Sequence, residues 1–359
     1  MLLFRVFSIP VRFFIALLIY FSWGPLAGGV VTAPVPEFSS PALIPYPSKV
    51  VRGAGEAGFR SVHVKVGPDV PGRDDLMKEI KDIFRTSGIQ GSLNSGGAAE
   101  GAMTWELFPD ARMKGEGYDL SVGLGKATVR AGSFGGFFNA LQTLRQLVFN
   151  REGEFAMPVV RISDKPAFVL RGIMLDVGRY YMSPALIKEV MRRLSRYKIN
   201  TLHLHLTDDP AWRLEVKKYP ALTDGAFHWK SRLPGRFYTQ AQLKDLTDYC
   251  ARLNIQVIPE IDMPGHSQPF ARAMKTGMQT EKGVSILKDV VDEAVSLFPG
   301  RFFHMGSDEA HISMKDFIPR MAEHIRRKGK EVVVWSPGGP HDKDSCLLYI
   351  SDAADDRIS

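Results

Sequence analysis

Two cysteines, Cys250 and Cys346, are all that 359 residues contain, and they are far apart. They form neither a disulfide framework nor a metal-ligand spacing, and both thiols read as buried and inert. No internal repeat of solenoid length is present. No N-x-[ST] acceptor occurs either, in keeping with a bacterial exported protein. A phosphate-cradling G-x-x-x-x-G-K-[ST] loop is also missing: the nearest stretch, "LSVGLGKAT", lacks the first glycine and puts Ala127 after Lys126. That absence removes the meaning of "DEAH" at residues 308–311, which could otherwise mark an ATP-driven helicase. The net charge of +7 has no concentrated patch behind it. Basic residues are spread along helix faces such as "MRRLSRYK" and "HIRRKGK" and interleave with acids, so no nucleic-acid partner is expected.

What is present begins at the N terminus. Arg5 and Arg12 precede an apolar run from Phe13 to Trp23, followed by small residues and the spacer "VVTAPVPEFSSP". This is the build of a signal peptide over residues 1–33, too short for a comfortable membrane span. The mature chain is expected to be exported, periplasmic or secreted, with no stable span after cleavage. With 45% apolar residues the remainder can bury sizeable cores, and its length suggests two domains.

Residues 34–160 read as a small α+β domain. "RSVHVKV" is a strand, "RDDLMKEIKDIFRTSG" a helix ended by Gly88, "YDLSVGLGKATVRAG" a hairpin, and "GGFFNALQTLRQLVF" an amphipathic helix. From residue 161 to 359 the rhythm becomes strictly alternating. "FVLRGIMLDV", "INTLHLHL", "IQVIPEID", "RFFHM" and "KEVVVW" are strands, with "CLLYI" a candidate sixth. Helices separate them; in the first, Ser183 and Pro184 start a helix whose Leu186, Ile187, Val190, Met191 and Leu194 share one face. Such alternation specifies an α/β fold with a parallel sheet inside helices, a (β/α)₈ TIM-type barrel. A complete barrel needs about 250 residues, so the last two units are expected to be missing from this stretch.

Ionisable residues collect just after the strands, where a barrel builds its site. They are Arg179, Asp208 and Asp209, then Glu260, Asp262 and His266, then His304, Asp308 and Glu309, with the aromatic Trp335 after the fifth strand. Carboxylates, an arginine and an aromatic wall suit a sugar: polar groups for hydroxyls, tryptophan for a ring face, and a protonated carboxyl for the departing oxygen. Plainer readings stand beside these. Asp308 and Glu309 could cap a following helix. Arg179 could be a salt bridge to Asp176 or Asp208, and His203 and His205 could be buried structural histidines, His205 being nearer the site. Trp212 and Trp229 could be loop packing or substrate contacts, and Glu260 is read as scaffold.

"RGIMLDVGRYYM", "KINTLHLHLTDDPAWRLEVKKYPALT", "YCARLNIQVIPEIDMPGH", "HMGSDEA" and "KEVVVW" together resemble glycoside hydrolase family 20, the β-N-acetylhexosaminidases, from about residue 40 to 335. The resemblance implies an exo-acting, retaining glycosidase that acts on terminal N-acetylhexosamine of glycans and uses no metal or cofactor. It makes Glu309 the general acid/base, and Asp308 the group that orients the substrate's 2-acetamido oxygen, the nucleophile of this substrate-assisted chemistry. One of the two carboxyls would stay protonated while its neighbour stays ionised. Arg179 and Asp208 would serve the sugar hydroxyls, Trp335 the acetamide pocket, and Asp262 with His266 would tune the acid/base residue. Ser307 stands where glycine is commoner, and Pro210-Ala211 where Gln-Gly is frequent. The family's later tyrosine, tryptophans and acidic residue have no convincing counterpart, so a catalytically inactive or carbohydrate-binding remnant is the alternative.

Overall fold

The computed structural model describes residues 42–336 apart from 95–97 and 152, together with 3–4 and 346–350. The expected signal peptide therefore lies, except for Leu3 and Phe4, outside the described residues. Among those described, no helix is long and apolar enough to cross a membrane.

In the first domain an antiparallel and parallel mixed sheet runs in the order Lys49–Phe59, Glu154–Asp164, Tyr118–Gly123, Lys126–Ala131, Ala102–Pro109, Ser61–Val66, Gln90–Leu93. The helices Arg73–Ser87 and Phe134–Leu147 pack on each other and on this sheet. Their ends follow their sequences. Gly88 closes the first helix in a left-handed conformation with its N–H on the Phe84 carbonyl, and Ser133 caps the second by accepting the Gly136 N–H. The strand Glu154–Asp164 carries the domain past residue 160, so the boundary falls a few residues later than expected.

The second domain is a wholly parallel sheet in the order Gly172–Asp176, Thr201–His205, Gln256–Glu260, Phe302–His304, Glu331–Ser336, Cys346–Ile350, with Leu3–Phe4 beside the last. The candidate sixth strand is thus a strand. Between these strands run the helices Pro184–Ser195, Gln240–Ala251, Glu281–Val295 and Phe317–Arg327. Ser183 caps the first by accepting the Leu186 N–H, with Pro184 in its first turn. Thr239 and Gln242 form a reciprocal capping box on the second.

Some expectations need correcting. Leu186 does not join the buried helix face; it is exposed, while Ile187 and Met191 are fully buried. The first barrel strand begins only at Gly172, and Phe168 and Val169 are exposed. Arg171 explains this: its guanidinium turns back to the Phe168 carbonyl at 2.9 Å and to Glu116, holding that stretch as a loop. A short helix, Gln268–Met274, follows the third strand and was not anticipated.

The two domains are joined by buried ions. Glu79, 4% exposed, receives Arg145 at 2.8 Å from its own domain and Arg192 at 2.6 Å from the first barrel helix. Asp82 binds both arginines as well. Burial opposes its ionisation, but Arg85, Arg145 and Arg192 hold its pKa far below the usual range. Nearby, the Lys198 ammonium donates to Tyr118 Oη and Asp164 Oδ2, both at 3.0 Å. Removing one partner of such a cluster strands the others without water. Glu79→Ala is expected to destabilise the chain by about 3 kcal/mol, the lower end for a broken buried pair because Asp82 retains both arginines. Urea denaturation followed by circular dichroism measures it.

Candidate active site

Parallel pairing brings strand ends into one row. Asp176 lies opposite His205, His205 opposite Glu260, and Glu260 opposite His304. Paired residues of a parallel sheet share a face, so the row forms a polar layer within the barrel. His203, His205, Glu260 and His304 are all buried, the last two completely.

Glu260 is the centre of that layer. Its Oε2 lies 2.7 Å from His203 Nε2 and 2.8 Å from His205 Nδ1. These contacts are close but off the line of a good hydrogen bond, so they act as charge contacts. Oε1 accepts the Trp335 indole N–H at 2.8 Å. Burial alone would raise the Glu260 pKa; His304, His205 and His203 outweigh it and hold the group well below the ordinary glutamate value. For His205 burial works against the proton, yet Glu260 and Asp208 raise its pKa well above normal. His304 is pushed the other way, down to about 4, chiefly by burial. Its Nδ1 accepts the Gly306 N–H at 3.0 Å and so pins the loop that follows.

His203, Glu260 and His304 also bring three ligand-type atoms together. The His203 Nε2–Glu260 Oε2 pair, at 2.7 Å, is closer than the ~3.3 Å between donors around a tetrahedral zinc ion, whereas His304 Nδ1 lies 3.3 Å from Glu260 Oε1. The geometry fits a proton-sharing cluster better than a metal cage.

Asp208, 2% exposed, sits in a small hairpin of Thr207–Asp208 against Ala211–Trp212. Pro210-Ala211 is accommodated in that hairpin. Asp208 Oδ2 faces His205 Nε2 at 3.1 Å and Arg179 Nη2 at 2.8 Å. Burial would raise its pKa, but His205 and Arg179 lower it overall. Arg179 is also fixed by Asp176 through Nη1 and its own backbone N–H, each at 2.8 Å, and keeps its side chain 43% exposed. The salt-bridge reading and the site reading therefore coexist: two carboxylates aim an arginine that still faces the mouth. Trp212 is buried, with its indole N–H on the Leu214 carbonyl at 2.8 Å, which resolves it as loop packing.

Across the mouth lies the stretch Gly306, Ser307, Asp308, Glu309. Gly306, Ser307 and Glu309 all have left-handed backbones, with φ of 68, 77 and 50°. At Gly306 the requirement is absolute, because an added Cβ would lie 1.9 Å from Asp262 Oδ1. Ser307 holds the same left-handed backbone without glycine's freedom, so the commoner family residue there has a steric reason. No helix begins at this pair; the next one starts at Phe317, which removes the capping reading.

Asp262 is 1% exposed and takes the Ser307 N–H on Oδ1 at 3.3 Å. Burial, then the charge of Glu260, push its pKa up to about 7. His266 places Nε2 3.4 Å from Glu309 Oε2, whereas its Nδ1 faces Asp208 and Asp209 at 3.6 and 3.7 Å. Asp262 and His266 thus reach the carboxylate pair by separate routes, Asp262 through the loop backbone and His266 by direct approach. Asp308 is half-buried, and burial with the neighbouring Glu309 charge raises its pKa. Glu309 has a side chain 73% exposed. Burial acts on Asp308 because it is the carboxyl turned from water.

The residues expected from the sequence, Arg179, Asp208, Asp262, His266, Asp308, Glu309 and Trp335, with His205 behind them, belong to this one end of the sheet. Glu260 is the residue that sequence reasoning set aside. Its signal was available: a lone acid in an apolar strand, level with the second of two alternating histidines.

A parallel barrel domain with a carboxylate-rich mouth, preceded by an α+β domain, is the class this architecture defines. The model for "Glycosyl hydrolase family 20, catalytic domain" matches residues 168–283, and that for "Glycosyl hydrolase family 20, domain 2" matches residues 40–165. Between them they span more than half of the sequence, and the chain belongs to glycosyl hydrolase family 20. It is 37% identical to a beta-hexosaminidase of Porphyromonas gingivalis over 280 residues, covering 62% of this chain and 36% of that protein. A beta-N-acetylhexosaminidase of Cellulomonas fimi is 31% identical, with 67% and 54% covered. Among solved structures, the family 20 enzyme of Streptomyces coelicolor superposes with a TM-score of 0.76 at 28% identity, covering 88% of this chain and 70% of that one. The chain thus spans roughly a third to a half of the curated relatives named here.

Two outcomes follow for the loop and its carboxyls. Ser307→Gly relieves a left-handed non-glycine residue and is expected to raise the unfolding free energy by about 1 kcal/mol in urea titration. Asp262 carries a raised pKa, so between about pH 4 and 7 the native state holds a proton that the unfolded chain has released. Stability from this group is therefore lost as pH rises through that window. Asp262→Asn should become progressively more favourable relative to wild type from pH 4.5 to 7.5, in paired denaturation curves.

Proposed function

We propose that the chain is an exported, exo-acting β-N-acetylhexosaminidase that releases terminal β-linked N-acetylglucosamine or N-acetylgalactosamine from oligosaccharides or glycoconjugates with retention. The adjacent Asp308–Glu309 pair after the fourth strand, at the same end of the sheet as the aimed guanidinium of Arg179, carries this reading. In it the exposed Glu309 donates a proton to the glycosidic oxygen, within reach of His266. The substrate's own acetamide oxygen attacks the anomeric carbon, and Asp308 binds the acetamide N–H as positive charge develops. Water then opens the resulting oxazolinium-like intermediate, with Glu309 as base. Arg179, held by Asp176 and Asp208, takes the sugar's outer hydroxyls, and Trp335 gives an apolar wall beside the acetamide. The curated names of the relatives support the substrate class.

The test is turnover of 4-nitrophenyl N-acetyl-β-D-glucosaminide by the purified chain. Glu309→Gln is expected to lower kcat by about 10²–10⁴-fold with KM little changed. Asp308 must ionise to act, and its pKa is raised, so activity should be lost on acidification at a pH above the ordinary aspartate range, as a pH–rate profile will show. Absence of turnover, or turnover indifferent to Glu309→Gln, would refute the proposal.

A further inference from the structure

Glu260 takes no part in the proposed chemistry, yet it is wholly buried and four groups from three neighbouring strands converge on it. A carboxylate in such a place is costly, and an apolar side chain of the same size would pack a barrel at least as well. What an apolar residue cannot do is hold polar groups in a fixed direction.

Two chains of contact leave the carboxylate. Oε1 receives the Trp335 indole at 2.8 Å, while His203 and His304 lie 5.1 and 4.4 Å from that indole, centroid to centroid. Oε2 lies 2.8 Å from His205 Nδ1, and His205 Nε2 lies 3.1 Å from Asp208 Oδ2, which in turn holds Arg179 at 2.8 Å. Both ring nitrogens of His205 face carboxylate oxygens. A neutral imidazole would leave a lone pair against one of these anions, so the arrangement calls for an imidazolium that hydrogen-bonds Asp208 through Nε2 and meets Glu260 as a charge contact at Nδ1.

We propose that Glu260 is a positioning residue of this site: its buried carboxylate orients the Trp335 indole directly and, through His205, the Asp208–Arg179 pair. One charge thereby sets both the wall and the hydroxyl-binding side of the mouth. This rests on the function proposed above for what those two sides bind, but not for the contacts themselves. The titratable groups facing His205 are Asp176 from the first strand, Asp208 from the loop after its own, Glu260 and Asp262 from the third, and His304 from the fourth.

Glu260→Gln in the purified chain keeps an oxygen for the indole and removes the charge. Nitrogen-15 NMR of the histidine rings, with His205 assigned through His205→Gln, reads the contact without turnover. Its titration midpoint should fall by at least about one pH unit in Glu260→Gln. Kinetics on the same glycoside should show KM raised about tenfold or more with a smaller change in kcat. His205→Gln should give a similar KM, and the double variant should be no worse than either single one. Should Glu260→Gln not fold, Glu260→Asp keeps the charge but withdraws it by one methylene; KM then rises while His205 stays protonated above neutral pH. An unmoved His205 titration in Glu260→Gln, or additive KM effects, would overturn the proposal. An inactive wild-type chain would defeat the function reading instead, and the NMR arm would still decide this one.

Discussion

A carboxylate sealed inside a barrel cannot remain an anion without counter-charge, and this constraint organises the sheet from its second strand to its fifth. Glu260 is supplied with His203 and His205 from one flanking strand and an indole N–H from the strand two places along on the other side. The requirement acts across the sheet, since the partners come from separate strands and meet only when the parallel register is correct. A slip by one residue would turn the histidines outward and leave the acid alone in a medium that penalises it. The same register brings Asp208 and the Gly306–Glu309 loop to the mouth. The site's geometry is therefore a consequence of satisfying one buried charge.

The second joint is ionic in the same way. Glu79 and Asp82 lie on a helix of the small domain and share Arg145 with their own side and Arg192 with the barrel. Glu116 adds Asn200 and Asn254 at 3.2 and 2.7 Å, reaching the starts of the second and third barrel strands. These groups lie at the N-terminal side of the barrel strands, whereas the carboxylates of the mouth lie at the C-terminal side. The small domain thus braces the barrel from beneath.

Much of this was legible in the sequence because each element carries its own local cause. Ser183-Pro184 begins a helix, Gly88 ends one, and the strand–helix alternation marks the barrel. Strand-end acids are recognisable once the alternation is seen. Other features depended on contacts between distant residues. Leu186 has the right helical spacing yet faces water, because apolar periodicity defines a stripe but not its width. Phe168 and Val169 look like strand residues, and only Arg171 folding back on the Phe168 carbonyl shows why they are not. Glu260 was set aside although it is a lone acid in an apolar strand, because its weight depends on histidines that only the parallel register brings around it. The raised pKa of Asp308 depends on burial, which sequence does not encode residue by residue.

The left-handed turn at Ser307 and Glu309 has a consequence of another kind. Consecutive residues of an ordinary loop share much the same surroundings. Here one peptide bond separates a carboxyl screened by protein from one bathed in solvent. The loop behaves as a dielectric step, with two acids of nearly the same chemistry on its two levels. The difference in their surroundings is thus written in backbone handedness rather than in the identity of the side chains.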